Sequence, residues 1–374
     1  MASAANVFHL GVKELRSLWH DTAMLLLMVF AFTASIYTAA TGIPETLLRA
    51  PLAIVDEDHS PLSARIHEAF GAPYFLPPPL ISQAEVDREL DAGRYTFVLD
   101  IPPDFQRDLA GGREPVLQLN VDATRMAQAF TGSGYVQAIV NGEIAEFLLR
   151  HRAQSGLPVE LAMRNRFNPA LAQSWFGAIV ELINNITMLG IVLTSAALIR
   201  EREHGTIEHL LAMPVTPFEI MAAKVWSMGL VVLLASTLSL IVVVHGLLSV
   251  PLLGSVWLFL AGASLQMFAV TSIGIFMGTV ARSMPQMGLL LILVLLPLEM
   301  LSGGTTPRES MPELIQTVML AAPTTHFVNL SQAILFRGAG FDVVWPSFLA
   351  IAVIGAAFFL IALALLRRTI ASMG

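Results

Sequence analysis

Arg200 to Trp226 reads REREHGTIEHLLAMPVTPFEIMAAKVW, and nine of its first ten residues are charged, polar or glycine. Apolar runs near 177–199 and 226–248 flank it. Each is long enough as a helix to cross a bilayer core, which needs about 20 residues, so the charged stretch reads as a turn at a membrane face. Its local grammar is detailed. A helix leaves the bilayer through Arg200–His204, and Gly205 can close it as a left-handed cap. A short amphipathic helix follows, with Ile207, Leu210 and Leu211 on one side and Glu208 and His209 on another, until Pro214 stops it. Thr216, Pro217 and Glu219 then form a capping box with proline in the first turn, which restarts a helix. The positive-inside rule accounts for the arginines of a solvated turn. It does not account for the acids or for two punctuated helix boundaries so close together. A rigid elbow with a charged face suits docking to a soluble partner.

Outward from this stretch the chain stays apolar. Of 374 residues 55% are hydrophobic, the mean hydropathy is +0.69, and only 13% are charged, against about 25% in soluble domains. Six segments are candidates to cross a membrane: 22–42, 177–199, 226–248, 257–280, 286–301 and 344–366. The fifth is the shortest and carries Pro297 and Glu299, which predicts a broken or re-entrant end. The first has an apolar run from Thr22 to Ala40, longer than the roughly 7–15 residues of a signal peptide, so it is read as a retained span. With the N-terminus inside, eight basic residues (Lys13, Arg16, Arg200, Arg202, Lys224, Arg282, Arg367, Arg368) lie on the cytoplasmic side, and Arg308 and Arg337 lie in the short outer loops. The five tryptophans fall at segment ends, where amphipathic rings favour the interface.

Residues 1–21 read as an interfacial helix, Val7, Leu10, Leu15 and Leu18 alternating with Lys13, Glu14 and Arg16; a simple basic flank is the plainer alternative. Residues 43–175 form one outer segment with 11 arginines and 17 acids, which holds most of the net charge of −7. A charge so located is no signal for nucleic acid. PLAIVDED, YTFVLDIPP and VLQLNVDA read as strands, and SPLSARIHEAF and SQAEVDRELDAG as serine-capped helices. The remainder, 176–374, is a five-span membrane domain with a coupling loop at 200–225 and an outer region at 302–343 of short helices lying on or dipping into the membrane face. The expected fold is an α-helical polytopic membrane protein with six spans and a mixed α/β extracytoplasmic domain between spans 1 and 2.

Several chemistries are missing. A phosphate loop needs GxxxxGK[ST], yet Lys13 and Lys224 are the only lysines and neither has that context. There is no HExxH and no GxSxG, His204 and His209 are five apart and diverge on a helix, and the absence of cysteine excludes disulfides and thiolate metal sites. No catalytic residue, metal site or cofactor is expected.

EREHGTIEHLLAMPVTPFEIMAAK resembles the signature of the ABC-2 type transport permeases. The likeness extends over nearly the whole chain and takes in NVDATRMAQAFTG, INNITML, GIFMGTVARSMPQ and LSGGTTPRESMP. The resemblance implies a bacterial inner-membrane permease, multi-pass with both termini cytoplasmic, whose loop between spans 2 and 3 contacts a separate ATPase subunit. Glu201, Arg202, Glu203, Gly205, Thr206, Glu208 and Pro214 match the docking motif, with Arg200 beside them. It further implies a second permease chain, the same or related; the strongly apolar spans favour export of a hydrophobic or amphipathic substrate, and a periplasmic adaptor and membrane lipid complete the expected partners.

Within the membrane, Glu181, Asn184, Asn185, Met188 and Ser195 share one face of the second span at 100° per residue. They read either as a translocation path or dimer seam, or as a polar turn near the outer headgroups. Gly274 and Gly278 form GxxxG, a helix-packing signal, and His245 reads as interfacial. Two other function classes compete: an ion-coupled secondary transporter, for which only Glu181 and Glu299 would serve, both near outer ends, and a non-transporting scaffold binding an envelope partner.

Overall fold

A computed structural model of the chain describes residues 3–42, 49–122, 126–151, 173–203, 214–281, 283–306 and 308–371. It divides into two units, Pro44–Arg164 and the combination of Met1–Ile43 with Asn165–Gly374.

Pro44–Arg164 is built on a sheet of three strands, β1 (Leu52–Asp56), β2 (Phe97–Ile101) and β3 (Gln118–Val121). These fall in the three stretches whose β-branched and apolar residues marked strands. β1 runs parallel to β2, pairing Leu52 with Phe97, and β3 returns antiparallel, pairing Val121 with the same Phe97. Alternation then sorts the side chains. Leu52, Ile54, Phe97 and Leu99 enter one core with Leu62 and Ile66 of α3 (Pro61–Ala69) and with Val136 and Val140 of α6 (Met126–His151). Ala53, Val55 and Val98 pack on the other face against Val86 of α4 (Val86–Asp91), and α5 (Phe105–Ala110) follows β2. Both serine caps form: Ser60 Oγ accepts from the Ser63 amide, and Ser82 makes a reciprocal capping box with Glu85. The parallel β1–β2 pair requires a crossover, and α3 and α4 supply it.

The second unit is helical. α1 (Ala4–Trp19) precedes α2 (Thr22–Thr41); after the sheet unit come α7 (Gln173–Glu203), α8 (Pro217–Leu247), α9 (Val256–Val280), α10 (Met284–Met300), α11 (Glu313–Met319), α12 (Pro323–Arg337) and α13 (Phe341–Ala371). Among the described residues five helices are long and apolar enough to cross a membrane: α2, α7, α8, α9 and α13. α10 is apolar but has 17 residues, about 25 Å of helix, short of a hydrocarbon core of about 30 Å. Its Pro297 lies in the last turns, and bends through Gly303, at φ +96°, follow. α12 does more than lie on a face. Thr325, Phe327, Leu330, Ser331 and Ile334 are buried where it packs against α7, α9 and α13.

α7 is the axis of this bundle. In its most apolar stretch 83% is buried within the chain, against 28% for α2 and for α13. α9 lies against it most closely through the GxxxG pair: a Cβ added at Gly274 would sit 2.8 Å from the Ile191 carbonyl oxygen, and one at Gly278 3.2 Å from Leu198 Cβ. Opposite, α2 departs from α-geometry, with a π-turn at Ala31–Ser35. Irregular backbone at membrane depth persists where neighbours satisfy its polar groups, and here they do. Asn185 Nδ2 of α7 donates to the Ala31 carbonyl at 2.8 Å, and Ser239 Oγ of α8 donates to the Phe32 carbonyl at 2.6 Å. Ser239 directly precedes a second π-segment, Leu240–Leu247.

The close approach at Gly274 gives a test. Gly274→Leu forces several heavy atoms into the Ile191 backbone, which cannot yield like a side chain, so a loss of about 1–3 kcal/mol or more is expected. Thermal unfolding of the detergent-solubilised protein should fall by several degrees, whereas Gly288→Leu, with nothing within 4 Å of its added Cβ, should unfold near the wild-type temperature.

Candidate functional site

The charged stretch that interrupts the apolar sequence begins with Arg200–Glu203, the last turn of α7. Successive residues on a helix point about 100° apart, so four in a row fan round the axis, and each finds a different neighbour. Arg200 Nη1 lies 2.6 Å from Asp21 Oδ2, and the other oxygen of Asp21 caps α2 by accepting from the Met24 amide at 3.2 Å. Glu201 bonds Lys13 Nζ of α1 at 2.5 Å and Lys224 Nζ of α8 at 2.8 Å. Arg202 donates to the carbonyls of Ala281 and Thr279, the unsatisfied end of α9. Glu203 Oε1 accepts from the Met284 amide at 2.8 Å, at the start of α10. One turn of helix thus ties together α1, α2, α8, α9 and α10. Cations on helix C-termini and carboxylates on N-termini are the favourable pairing with the helix dipole, and Arg202 and Glu203 follow it.

Lys224 is the deepest charge of this hub. It is 1% exposed, on a helix whose neighbours are apolar, and its ammonium sits between Glu14 Oε1 at 3.1 Å and Glu201 Oε2 at 2.8 Å. Two lysines (Lys13, Lys224) face two carboxylates (Glu14, Glu201), so the set is neutral, with Lys13 at its exposed edge. A buried charge is tolerated when paired and hydrogen-bonded.

α1 is held to α8 along its length. Trp226 Nε1 donates to the Val7 carbonyl at 3.1 Å, its ring stacks on Phe8 with centroids 6.0 Å apart, and a Cβ at Gly11 would fall inside that ring. At the start of α8 the expected capping box is present: Thr216 Oγ1 accepts from the Glu219 amide, and Glu219 accepts from the Thr216 amide at 2.6 Å. Glu219 does a second job, accepting from the Ser3 amide at 2.7 Å and Asn6 Nδ2 at 3.0 Å. The capping carboxylate therefore also anchors the first turn of α1.

The expected boundaries shift accordingly. α7 remains helical to Glu203 and α8 begins at Pro217, so both ends of the expected coupling segment 200–225 lie in helices. Lys224, within the expected coupling segment, lies in α8, the helix expected to restart at Thr216. Of the expected docking residues, Arg200, Glu201, Arg202 and Glu203 contact other parts of this chain, and Pro214 is exposed. Gly205, Thr206 and Glu208, and the left-handed cap and short helix expected around them, lie outside the described residues.

On the polar face of α7, Asn185 and Ser195 are buried while Glu181 and Asn184 are half-buried. Glu181 accepts a hydrogen bond from Ser35 of α2, Asn185 satisfies the π-turn, and Ser195 Oγ bonds back to the Ile191 carbonyl. The face is brought together at Glu181 and Asn185, and Ser195 turns toward α9 through its carbonyl, 3.2 Å from the Gly278 Cβ position. His245 bonds the Val250 carbonyl. Glu14, Asp21 and the burial of Lys224 escaped sequence reasoning. One signal was available: Lys224 is a lone charge in EIMAAKVW, and it is one of only two lysines in the chain.

Removing one partner of a buried ion pair costs about 3–5 kcal/mol, because the other is left uncompensated. Lys224→Met should therefore lower the unfolding temperature sharply and free α1, read as faster proteolysis near its start. Adding Glu14→Gln to Lys224→Met removes one stranded carboxylate and should restore part of the loss.

Comparison with known proteins places this architecture. The model of the ABC-2 family transporter protein matches residues 22–364. The inner membrane transport permease YhhJ of Escherichia coli (strain K12) is 62% identical over 373 residues, covering 100% of both chains. Two further relatives from that organism are named as probable multidrug ABC transporter permeases: YbhR, 28% identical over 367 residues (96% of this chain and 97% of that one), and YbhS, 27% identical over 346 residues (88% of each). By a match to the family over most of its length, and by full-length identity to a transport permease, the chain is a multi-pass membrane protein of the ABC-2 transporter family.

Proposed function

We propose that the chain is the membrane subunit of an ATP-driven exporter in a bacterial inner membrane. It moves a hydrophobic or amphipathic substrate outward and works as a pair of permease chains with ABC ATPase subunits. The observation that carries this reading is the hub at Arg200–Glu203. A partner pressing on the chain at Glu203 acts on a helix end fixed to five other helices, so a local push becomes a movement of the bundle. In this reading Arg200, Glu201, Arg202 and Glu203 stiffen the elbow from within, while Gly205, Thr206, Glu208 and Pro214 offer the surface for the ATPase. Family membership supports the division of labour, because ABC permeases are not themselves enzymes. The relatives named as multidrug permeases support a drug-like or lipid-like substrate, as do the strongly apolar helices.

The same reading sets topology. α10 completes a sixth crossing with help from the bends that follow it, both termini and the elbow are cytoplasmic, and 43–175 lies outside, where a periplasmic adaptor would meet it. Glu181 and Asn184, half-buried on α7, stay assigned to a path or seam. Asn185 and Ser195 shape that face from behind, through α2 and α9.

Two measurements test this. The chain has no cysteine, so Ser60→Cys is a clean probe: an impermeant maleimide should label it in intact spheroplasts, and labelling only after the inner membrane is breached would reverse the topology. Purified with its ATPase, the complex should hydrolyse ATP faster when an amphipathic substrate is added. Gly205→Val should lower ATPase co-purification while the chain still inserts, since a β-branched residue in a left-handed cap is strained by about 1–2 kcal/mol. An undiminished complex would move docking away from the elbow.

A further inference from the structure

Beside the hub, α1, α7 and α8 enclose a cavity of ≈ 240 Å³ that none of the contacts above fills. Its walls divide by chemistry. Leu18, Leu193, Ala197 and Met228 form an apolar floor; Lys13, Glu14, Arg200 and Glu201 form the polar end. An open depression bordered by Lys13, Arg16, Ser17, His20, Asp21 and Arg200 continues from it, sharing Lys13, Ser17 and Arg200. From Arg200 to Leu193 is seven residues of helix, about 10 Å. The cavity therefore runs from the level where α1 lies and α2 begins down into the apolar part of α7, a change from charged to apolar lining that matches a lipid's change from headgroup to acyl chain.

Charge distinguishes the two ends. Glu14 and Glu201 are spent on Lys224 and Lys13, and Asp21 on Arg200. Three cations (Lys13, Arg16, Arg200) and three carboxylates (Glu14, Asp21, Glu201) border the two openings, and Lys224, buried behind them, is a fourth cation that takes up charge from Glu14 and Glu201. Arg16 is exposed and forms no ion pair among the described residues. The set as a whole therefore carries one positive charge in excess, exposed at Arg16, beside an apolar-floored cavity of ≈ 240 Å³, room for several methylenes of one acyl chain.

We propose that this cavity is a binding site for an anionic phospholipid of the adjacent leaflet. The phosphate lies among Arg16, Lys13 and Arg200, and the first methylenes of one acyl chain lie against Leu18, Leu193, Ala197 and Met228. Basic residues at a membrane surface attract anionic headgroups. Here the attraction is joined to a slot, which makes it a site rather than a general affinity. The lipid would be a structural ligand of the hub, wedged between α1 and α7, whichever solute the protein exports.

The test uses the full chain purified in detergent and supplied with phosphatidylglycerol or phosphatidylcholine, with bound lipid counted by native mass spectrometry and stability followed by thermal unfolding. One phosphatidylglycerol per chain should be retained and should raise the unfolding temperature more than phosphatidylcholine does. Arg16→Gln, at an exposed position, should weaken retention about fivefold, the worth of one basic residue near an anionic surface. Ala197→Leu fills the slot without changing charge; it should abolish retention while leaving binding to phosphatidylglycerol vesicles intact. Equal retention of the two lipids, or undiminished retention by a folded Ala197→Leu protein, overturns the proposal. Protection by glycerol 3-phosphate as strong as that by the lipid would transfer the site to a free phosphate and overturn the lipid assignment.

Discussion

An ammonium group cannot stay charged alone in an apolar interior, and Lys224, 1% exposed, is held there by Glu14 and Glu201. That constraint fixes more than one side chain. Glu14 belongs to α1, Glu201 to α7 and Lys224 to α8, so none of the three helices can withdraw without stranding a charge. With α1 so placed, Gly11 can lie on the Trp226 ring, Glu219 can serve the ends of two helices at once, and Arg200 can meet Asp21 at the start of α2. A hydrophobic contact would tolerate sliding along the helix; this one sets register.

Further along α7 the same principle operates without formal charge. Lipid offers no hydrogen bonds, so each polar group within the bundle has to find a partner inside the protein. The π-turn of α2 would be a liability if its carbonyls faced apolar side chains. Asn185 and Ser239 approach from two different helices and meet two successive carbonyls, Ala31 and Phe32. Such bonds in membranes average only about 0.6 kcal/mol each. Their value here is positional: they hold α2 to α7 and α8 at the point where its own ladder is broken. Toward α9, Gln266 Nε2 donates to Thr187 Oγ1 at 3.2 Å, and Gly274 and Gly278 let α9 lie directly on the α7 backbone.

What could be read from sequence divides by the range of the interaction. The Thr216–Glu219 capping box, the serine caps of α3 and of the short 3₁₀ turn that leads into α4, and the three strands are encoded within a few residues, and each is legible in the sequence. The glycine pair of α9 was legible as a packing signal, though not its partner. The polar face of α7 was legible as a face; that Asn185 serves a π-turn 154 residues away was not, because no local pattern marks where a helix will add a residue to its turn. The ion cluster was hidden for a related reason. Lys224 and Glu14 are 210 residues apart, and averaging hydropathy along the chain merges a single buried lysine with the loop before it.

The puzzle of a mixed-charge cluster in an apolar chain has a different answer from the one its composition suggests. Alternating Arg and Glu on a surface would be a solvated, salt-screened face of little energetic weight. In the last turn of α7 the alternation instead matches the polarity of what surrounds it. Arg200 meets a carboxylate, Glu201 meets two ammonium groups, Arg202 meets the carbonyl end of α9, and Glu203 meets the amide end of α10. Exchanging any two neighbours in the order would set like against like. The order of the four residues is thus dictated by the arrangement of helices around α7, and on the proposed reading it also directs force. A partner that displaces the end of α7 pulls on α9 through a carbonyl, on α10 through an amide, and on α1 and α8 together through one buried carboxylate.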